Sequence, residues 1–232
     1  LGLVPPERMV ACNVALARPE DSFAVAEAKK IPVKLQSFTL IPTEVVLQTK
    51  PDLIVVPTTA KPEMVNTFRD LGYPVLVCKN PDTIAEVEAD VRLMAQAVGE
   101  EPAGTKVVAE MERQLAEVDR IVTQQKGTRP VGMLVSLMTS YGGKGCLFDV
   151  MCTRAGVING IAKVGLKNGE KLTKELVVKA DPDFFMVSTL KKNDWICYWS
   201  YHNALYKGTL DMGKAFRFRS RLRSFNNGYL RF

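Results

Sequence analysis

Histidine is nearly absent from this chain: His202 is the single one among 232 residues. Zinc and manganese sites built from several histidines are thereby excluded. A Ser/His or Cys/His catalytic set would need His202 itself as its base. Cysteine is sparse as well. Cys12, Cys78, Cys146, Cys152 and Cys197 form no CxxC pair and no zinc spacing. Cys12 and Cys78 sit inside apolar runs, as small core residues do. Cys146 and Cys152 are candidates for a bridge, and the odd total leaves at least one thiol unpaired within the chain. No apolar run approaches the ~20 residues of a membrane span. Residues 1–4 are too short for a signal peptide and stop at Pro5 and Pro6, so a secreted form would have lost its leader before this sequence begins.

Charge of either sign is moderate. Thirty-one basic and 25 acidic residues give a net charge of +6. Lys214, Arg217, Arg219, Arg221 and Arg223 crowd residues 214–223. This run reads as a solvated face, and no nucleic-acid partner is expected from it. Hydrophobic content of 47% with 24% charged residues is the profile of a globular chain with room for two lobes.

A nucleotide-binding fingerprint is missing too. The loop YGGKGC at 141–146 lacks GxxxxGK[ST] spacing, and no Ser or Thr follows Lys144 to hold magnesium. Placed between a strand and a helix, the loop has two readings. It is an anion cradle made from backbone N–H groups and Lys144, or it is a flexible turn.

What the chain does have is a phrase written twice. Residues 44–57 read EVVLQTKPDLIVVP, and residues 175–188 read ELVVKADPDFFMVS. In each, a Glu opens a short apolar helix, Pro-Asp follows, and a strand follows that. A duplicated helix–turn–strand unit predicts two similar lobes.

The surrounding pattern agrees. Strands are predicted at 8–12, 31–36, 53–56 and 74–78, with helices at 21–30, 44–49 and 62–71. Thr43 is the predicted N-cap of the second helix, and the 53–56 strand is predicted to be covered on both faces. Thr83 and Glu86 have capping-box spacing at the start of a helix whose face is Ile84, Val87, Val91, Met94 and Val98. A long helix follows over about 102–126, with an apolar stripe of Val108, Met111, Leu115, Val118 and Val122. It would be roughly 35 Å long. The alternation then restarts with a strand at 131–138, a helix at 147–155, a helix capped by Thr173, and a strand at 184–187. Short connections between alternating strands and helices mean parallel sheets. The expected architecture is α/β: two lobes, each with a mainly parallel central sheet flanked by helices, joined by one long interlobe helix. The expected boundaries are 1–101, 102–127 and 128–232.

Glu44 and Glu175 each fall in a helix's first turn, where the helix dipole favours an acid by about 0.3–1 kcal/mol. That accounts for an acid, but not for the same acid at the same distance from Pro-Asp in both halves. The segment 195–201 holds four aromatics, Trp195, Tyr198, Trp199 and Tyr201. These rings suit either a core or a wall on which a flat ligand stacks.

The order Glu, six residues, Pro-Asp, strand, once per lobe, resembles the class III substrate-binding proteins of ABC importers for ferric siderophores, haem and cobalamin. PERMV at 6–10, LGYPV at 71–75 and AGVIN at 155–159 carry the same resemblance. It spans about residues 5–190. The resemblance implies a ligand held between the lobes and a monomer that docks on a membrane permease dimer. It implies a periplasmic or cell-surface lipoprotein location and no enzymatic activity. Glu44 and Glu175 would be the permease contacts. Loops after the strands would supply the ligand contacts: Asn13, Arg18, Thr58, Thr59, Lys61, Ser140, Tyr141, Lys144, Thr189, Lys191 and the aromatic segment. No resident metal or cofactor is implied; the cargo itself would be an iron complex, haem or a corrinoid. Basic residues suit a ferric siderophore, tyrosines suit haem iron, and the rings suit a corrin. The segment between Cys12 and Ile31 is shorter than the family's, and the match fades after about residue 205, where a final helix is expected and the chain is diverged or truncated. A two-lobed transferase and a ligand sensor are the competing classes.

Overall fold

The computed structural model describes residues 2–18, 24–37, 39–135 and 141–187. These fall into two compact units, residues 1–81 with 85–111, and 82–84 with 112 onward.

The first unit opens with a 3-10 turn at Pro6–Arg8, then β1 (Ala11–Asn13), a second 3-10 turn at Val14–Ala17, α1 (Val25–Lys30) and β2 (Val33–Leu35). β1 therefore starts later than residue 8. Pro6 occupies the first position of the turn, where its fixed φ is suited and its missing N–H costs nothing. α2 (Thr43–Thr49), β3 (Ile54–Pro57), α3 (Pro62–Asp70), β4 (Val75–Cys78) and α4 (Ile84–Ala97) follow. β1 pairs with β2, and β3 with β4, all in parallel. Parallel neighbours need a crossover, which α3 provides between β3 and β4. The core around β3 gathers Val46, Ile54, Val56, Met64, Val65 and Phe68. Val55 is 40% exposed, so β3 is covered on one face and not both.

α5 (Glu101–Gln124) runs for 24 residues, and the division between the units falls within it, after Met111. Its stripe is as predicted. Val108 is buried, and Met111, Leu115, Val118 and Val122 are half-buried. One contact was not legible from propensity. A Cβ built on Gly104 would lie 2.4 Å from the Ala95 Cβ of α4. Two methyl groups on rigid helices cannot share that space. Gly104→Ala should therefore destabilise the chain by about 1–2 kcal/mol, overpacking outweighing the helix propensity that Ala adds. A lower urea midpoint with an unchanged slope would show it; a higher midpoint would refute the close helix contact.

The second unit holds β5 (Val131–Val135), α6 (Leu147–Arg154), β6 (Ile158–Asn159), α7 (Gly160–Lys163), α8 (Lys174–Ala180) and β7 (Phe184–Val187). Its sheet has the order β6-β5-β7, again all parallel. Met133, Ile161, Leu172, Val177, Ala180 and Phe185 form its core. Arg154 donates two hydrogen bonds to the carboxylate of Asp119, at 3.0 and 2.7 Å, and so ties α6 to the end of α5. The chain is thus α/β, two units of parallel sheet flanked by helices. No helix among the described residues is long and apolar enough to cross a membrane.

Candidate functional site

The duplicated phrase folds the same way twice. Glu44 is the second residue of α2, and Glu175 the second of α8; each helix has seven residues. An apolar residue ahead of the helix shares a core cluster with one in its second turn, the pattern of a hydrophobic staple. In α2 these are Ile41 and Val46, and in α8 Leu172 and Val177. The predicted caps differ in detail. Pro42, not Thr43, is the N-cap of α2, and Thr43 is already helical. Thr173 does hold the N-cap position of α8.

Both helices also end alike. Lys50 has φ 44° and Asp181 has φ 45°, and they are the two non-glycine residues with positive φ among the described residues. Each precedes a proline, which disfavours the right-handed helical region for the residue before it. The left-handed residue closes the helix, and Pro51 or Pro182 directs the chain into its strand. In the second unit the motif's Asp also sets register. The Asp183 carboxylate accepts the Val131 N–H at 2.8 Å, and the Asp183 N–H donates to the Val131 carbonyl at 2.8 Å. Lys163 Nζ donates to the Ala180 carbonyl at 2.9 Å, holding the far end of α8.

Glu44 and Glu175 are both exposed. Hydrogen bonds from its own backbone N–H and from the Thr173 side chain hold the Glu175 carboxyl below the usual range. It therefore stays charged under mildly acidic conditions.

The strand ends carry the other candidates. Asn13, closing β1, accepts the Ala15 N–H at 2.9 Å and caps the 3-10 turn; Arg18 is exposed beyond it. After β3, Thr58, Thr59 and Lys61 are all exposed. Their turn is fixed by backbone bonds, Thr58 N–H to Cys78 at 3.0 Å and Lys61 N–H to Thr39 at 3.3 Å. Ser140, Thr189, Lys191, Trp195, Tyr198, Trp199 and Tyr201 lie outside the described residues, as does His202.

The glycine-rich loop is neither a flexible turn nor an open amide cradle. Gly142 N–H donates to Asn168 Oδ1 at 3.3 Å, Lys144 N–H to the Leu166 carbonyl at 2.8 Å, and Gly145 N–H to Asp149 Oδ2 at 3.1 Å. These amides are engaged within the protein. The side chains of Tyr141 and Lys144 are exposed at the same loop. Burial, then the neighbouring Cys146 and Asp82, pushes the Tyr141 hydroxyl up.

Beneath the loop sits a residue that sequence reasoning passed over as part of a motif. Asn159 is the buried polar side chain among the described residues, 5% exposed. Its Nδ2 donates to the Gly142 carbonyl at 2.8 Å and to Asp149 Oδ1 at 2.9 Å. Its Oδ1 accepts the Ile161 N–H at 3.1 Å. Cys146 and Cys152 are buried free thiols, as Cys12 is, and Cys78 is a free thiol only partly covered. Cys146 donates to the Gly143 carbonyl at 3.2 Å. Burial, helped by Asp149 and Cys146, pushes the Cys152 thiol up to about 12. Both thiols are closed off from solvent. No group of acidic, His and Cys side chains able to hold a metal ion occurs among the described residues.

No curated protein sequence matches the chain. Solved structures do. The apo periplasmic haem-binding protein RhuT from Roseiflexus sp. RS-1 superposes with a TM-score of 0.64 at 23% identity, over 77% of this chain and 67% of that one. A possible iron-binding, periplasmic solute-binding protein from Staphylococcus epidermidis gives 0.60 at 20% identity, over 76% and 70%. A periplasmic haem-binding protein from Pseudomonas aeruginosa gives 0.62 at 16% identity, over 77% of this chain and 63% of its own. At such identities the likeness establishes the fold, and the chain spans about two thirds of those proteins' lengths. A family model described as periplasmic binding protein matches residues 3–195, most of the sequence. The chain belongs to the periplasmic binding protein family, a family of extracytoplasmic binding proteins.

Proposed function

We propose that this protein captures an iron-bearing chelate, a ferric siderophore or haem, and delivers it to the permease of an ABC importer. One observation carries the reading: the matched pair of exposed glutamates, each second in a seven-residue stapled helix, each followed by a left-handed residue and Pro-Asp. Ligand capture alone has no use for that duplication. A partner with two equivalent sites does, because two carboxylates on rigid elements report both separation and orientation.

The cargo is assigned from the strand-end loops. Lys61 and Lys144 supply cationic groups that suit an anionic ferric chelate. Tyr141, exposed on a loop held by Asn159, is a candidate phenolate for haem iron. The phenol is pushed further toward its protonated form in the free protein. Iron binding would then release a proton. The proteins of like fold named for haem support this choice. Glu44 and Glu175 dock, and Asn13, Arg18, Thr58 and Thr59 line the approach. The protein acts as a lipid-anchored monomer and turns over nothing.

Titration of the purified protein with haemin, a ferric hydroxamate and cobalamin tests the cargo by quenching of Trp195 and Trp199. Haemin or the hydroxamate should quench at micromolar concentration or below. Exclusive quenching by cobalamin would move the cargo to corrinoids. Consumption of a sugar nucleotide with no binding from the panel would refute the delivery function.

A further inference from the structure

The duplicated helices share one more feature. Leu47 follows Glu44 by three residues and is 49% exposed; Val178 follows Glu175 by three and is 61% exposed. Residues three apart lie side by side on a helix surface. Each glutamate therefore has a large apolar neighbour facing solvent.

A lone exposed leucine is ordinary. The recurrence is not. Fold stability does not ask for these side chains, because the buried stripes use Val46 in α2, and Val177 and Ala180 in α8. Helix propensity does not ask for Val178 either, since β-branched residues are unfavourable in helices. The symmetry is selective as well. Leu40, 53% exposed, has the charged Lys171 as its counterpart in the second copy. On the helix itself, the exposed apolar position is kept beside the glutamate in both copies.

We propose that each unit docks through a two-part contact, Glu44 with Leu47 and Glu175 with Val178, and that each contact receives one arginine of the permease. This inference rests on the docking role given to the glutamates above. Charge complementarity selects a cation, the apolar neighbour a long aliphatic stem, and bidentate pairing with the carboxylate favours arginine over lysine. An arginine carries an aliphatic stem that lies along Leu47 or Val178 while its planar guanidinium meets the carboxylate in a fork. Charge pairing steers the encounter and weakens with salt. The covered apolar area adds attraction that salt does not screen.

The test is binding of the full chain to the permease–ATPase complex of its importer in nanodiscs, at low and high ionic strength. The double substitution L47S/V178S should weaken binding by about tenfold or more at both salt levels, from loss of covered apolar area. Melting temperature and cargo affinity should not change. E44Q/E175Q should instead weaken binding at low salt and flatten its salt dependence. Wild-type affinity for L47S/V178S beside a weakened E44Q/E175Q overturns the two-part contact and leaves charge docking standing. Wild-type affinity for both variants overturns the docking role itself.

Discussion

Reversing both glutamates, E44R/E175R, should abolish cargo uptake while leaving cargo affinity intact. In the proposed docked complex each reversed residue would face an arginine instead of pairing with it. Like charges brought together at an interface cost several kcal/mol, and about 1.4 kcal/mol is a factor of ten. Two such sites predict a fall in uptake of at least about two orders of magnitude. Both side chains are exposed, so the fold should tolerate the change. The single reversals should differ from a simple half-effect. With one unit docked and the other repelled, the two-point reading of orientation is lost, and uptake should fall nearly as far as in the double variant. The measurement is transport into proteoliposomes, paired with fluorescence titration of cargo. Lost cargo affinity would move the glutamates from the docking surface to the ligand site. Full uptake by the double variant would remove them from function altogether.

The two helices that carry these glutamates were legible in the sequence because their signals are local. Helix, Pro-Asp and strand all fall within about 14 residues of chain, and local rules govern each step. Strand β7 at Phe184–Val187 and the stripe of α5 were legible for the same reason. One expectation failed on a local signal, and others where a distant partner decides the outcome. β1 begins at Ala11 because the preceding prolines favour a 3-10 turn over extension. Val55 is exposed although its run reads as fully buried; apolar composition does not say which neighbours cover a strand. The use of Gly104 in α5 is visible only with Ala95 beside it.

The glycine-rich loop shows the same division, with a larger consequence. Its sequence offered an anion cradle or a flexible turn, because glycine content reports backbone freedom and not what holds the backbone. Asn159 lies 17 residues from Gly142 and ten from Asp149, and its hydrogen bonds to both decide the matter. The result is a rigid platform that presents Tyr141 and Lys144. Backbone amides that would otherwise meet an anion are engaged by Asn168, Leu166 and Asp149. For the proposed cargo, anion recognition would fall to side chains, and the position of Lys144 would matter more than the loop's glycines.

Breaking that platform is the second large effect expected. A Cβ on Gly143 would stand 2.4 Å from both the carbonyl carbon and oxygen of Lys167 and 2.8 Å from the Asn168 nitrogen. All three are backbone atoms, so no rotamer change relieves the clash. Gly143→Ala should cost about 3 kcal/mol, at the upper end of overpacking penalties. Asn159→Ala removes three hydrogen bonds and leaves the Gly142 carbonyl and the Ile161 N–H buried without this partner, a loss of about 2–4 kcal/mol. Both losses should appear as lower urea midpoints. They should also appear in cargo binding, measured well below the melting temperature, where each variant is folded. Cargo affinity should fall in both variants although neither altered side chain is placed against the cargo, because Tyr141 and Lys144 lose their support. Tyr141→Phe is the complementary case. It keeps the platform and removes only the hydroxyl, so stability should be unchanged while haemin affinity falls. If Asn159→Ala loses stability yet binds cargo like wild type, the loop is structural and the iron-facing groups lie elsewhere on the strand ends.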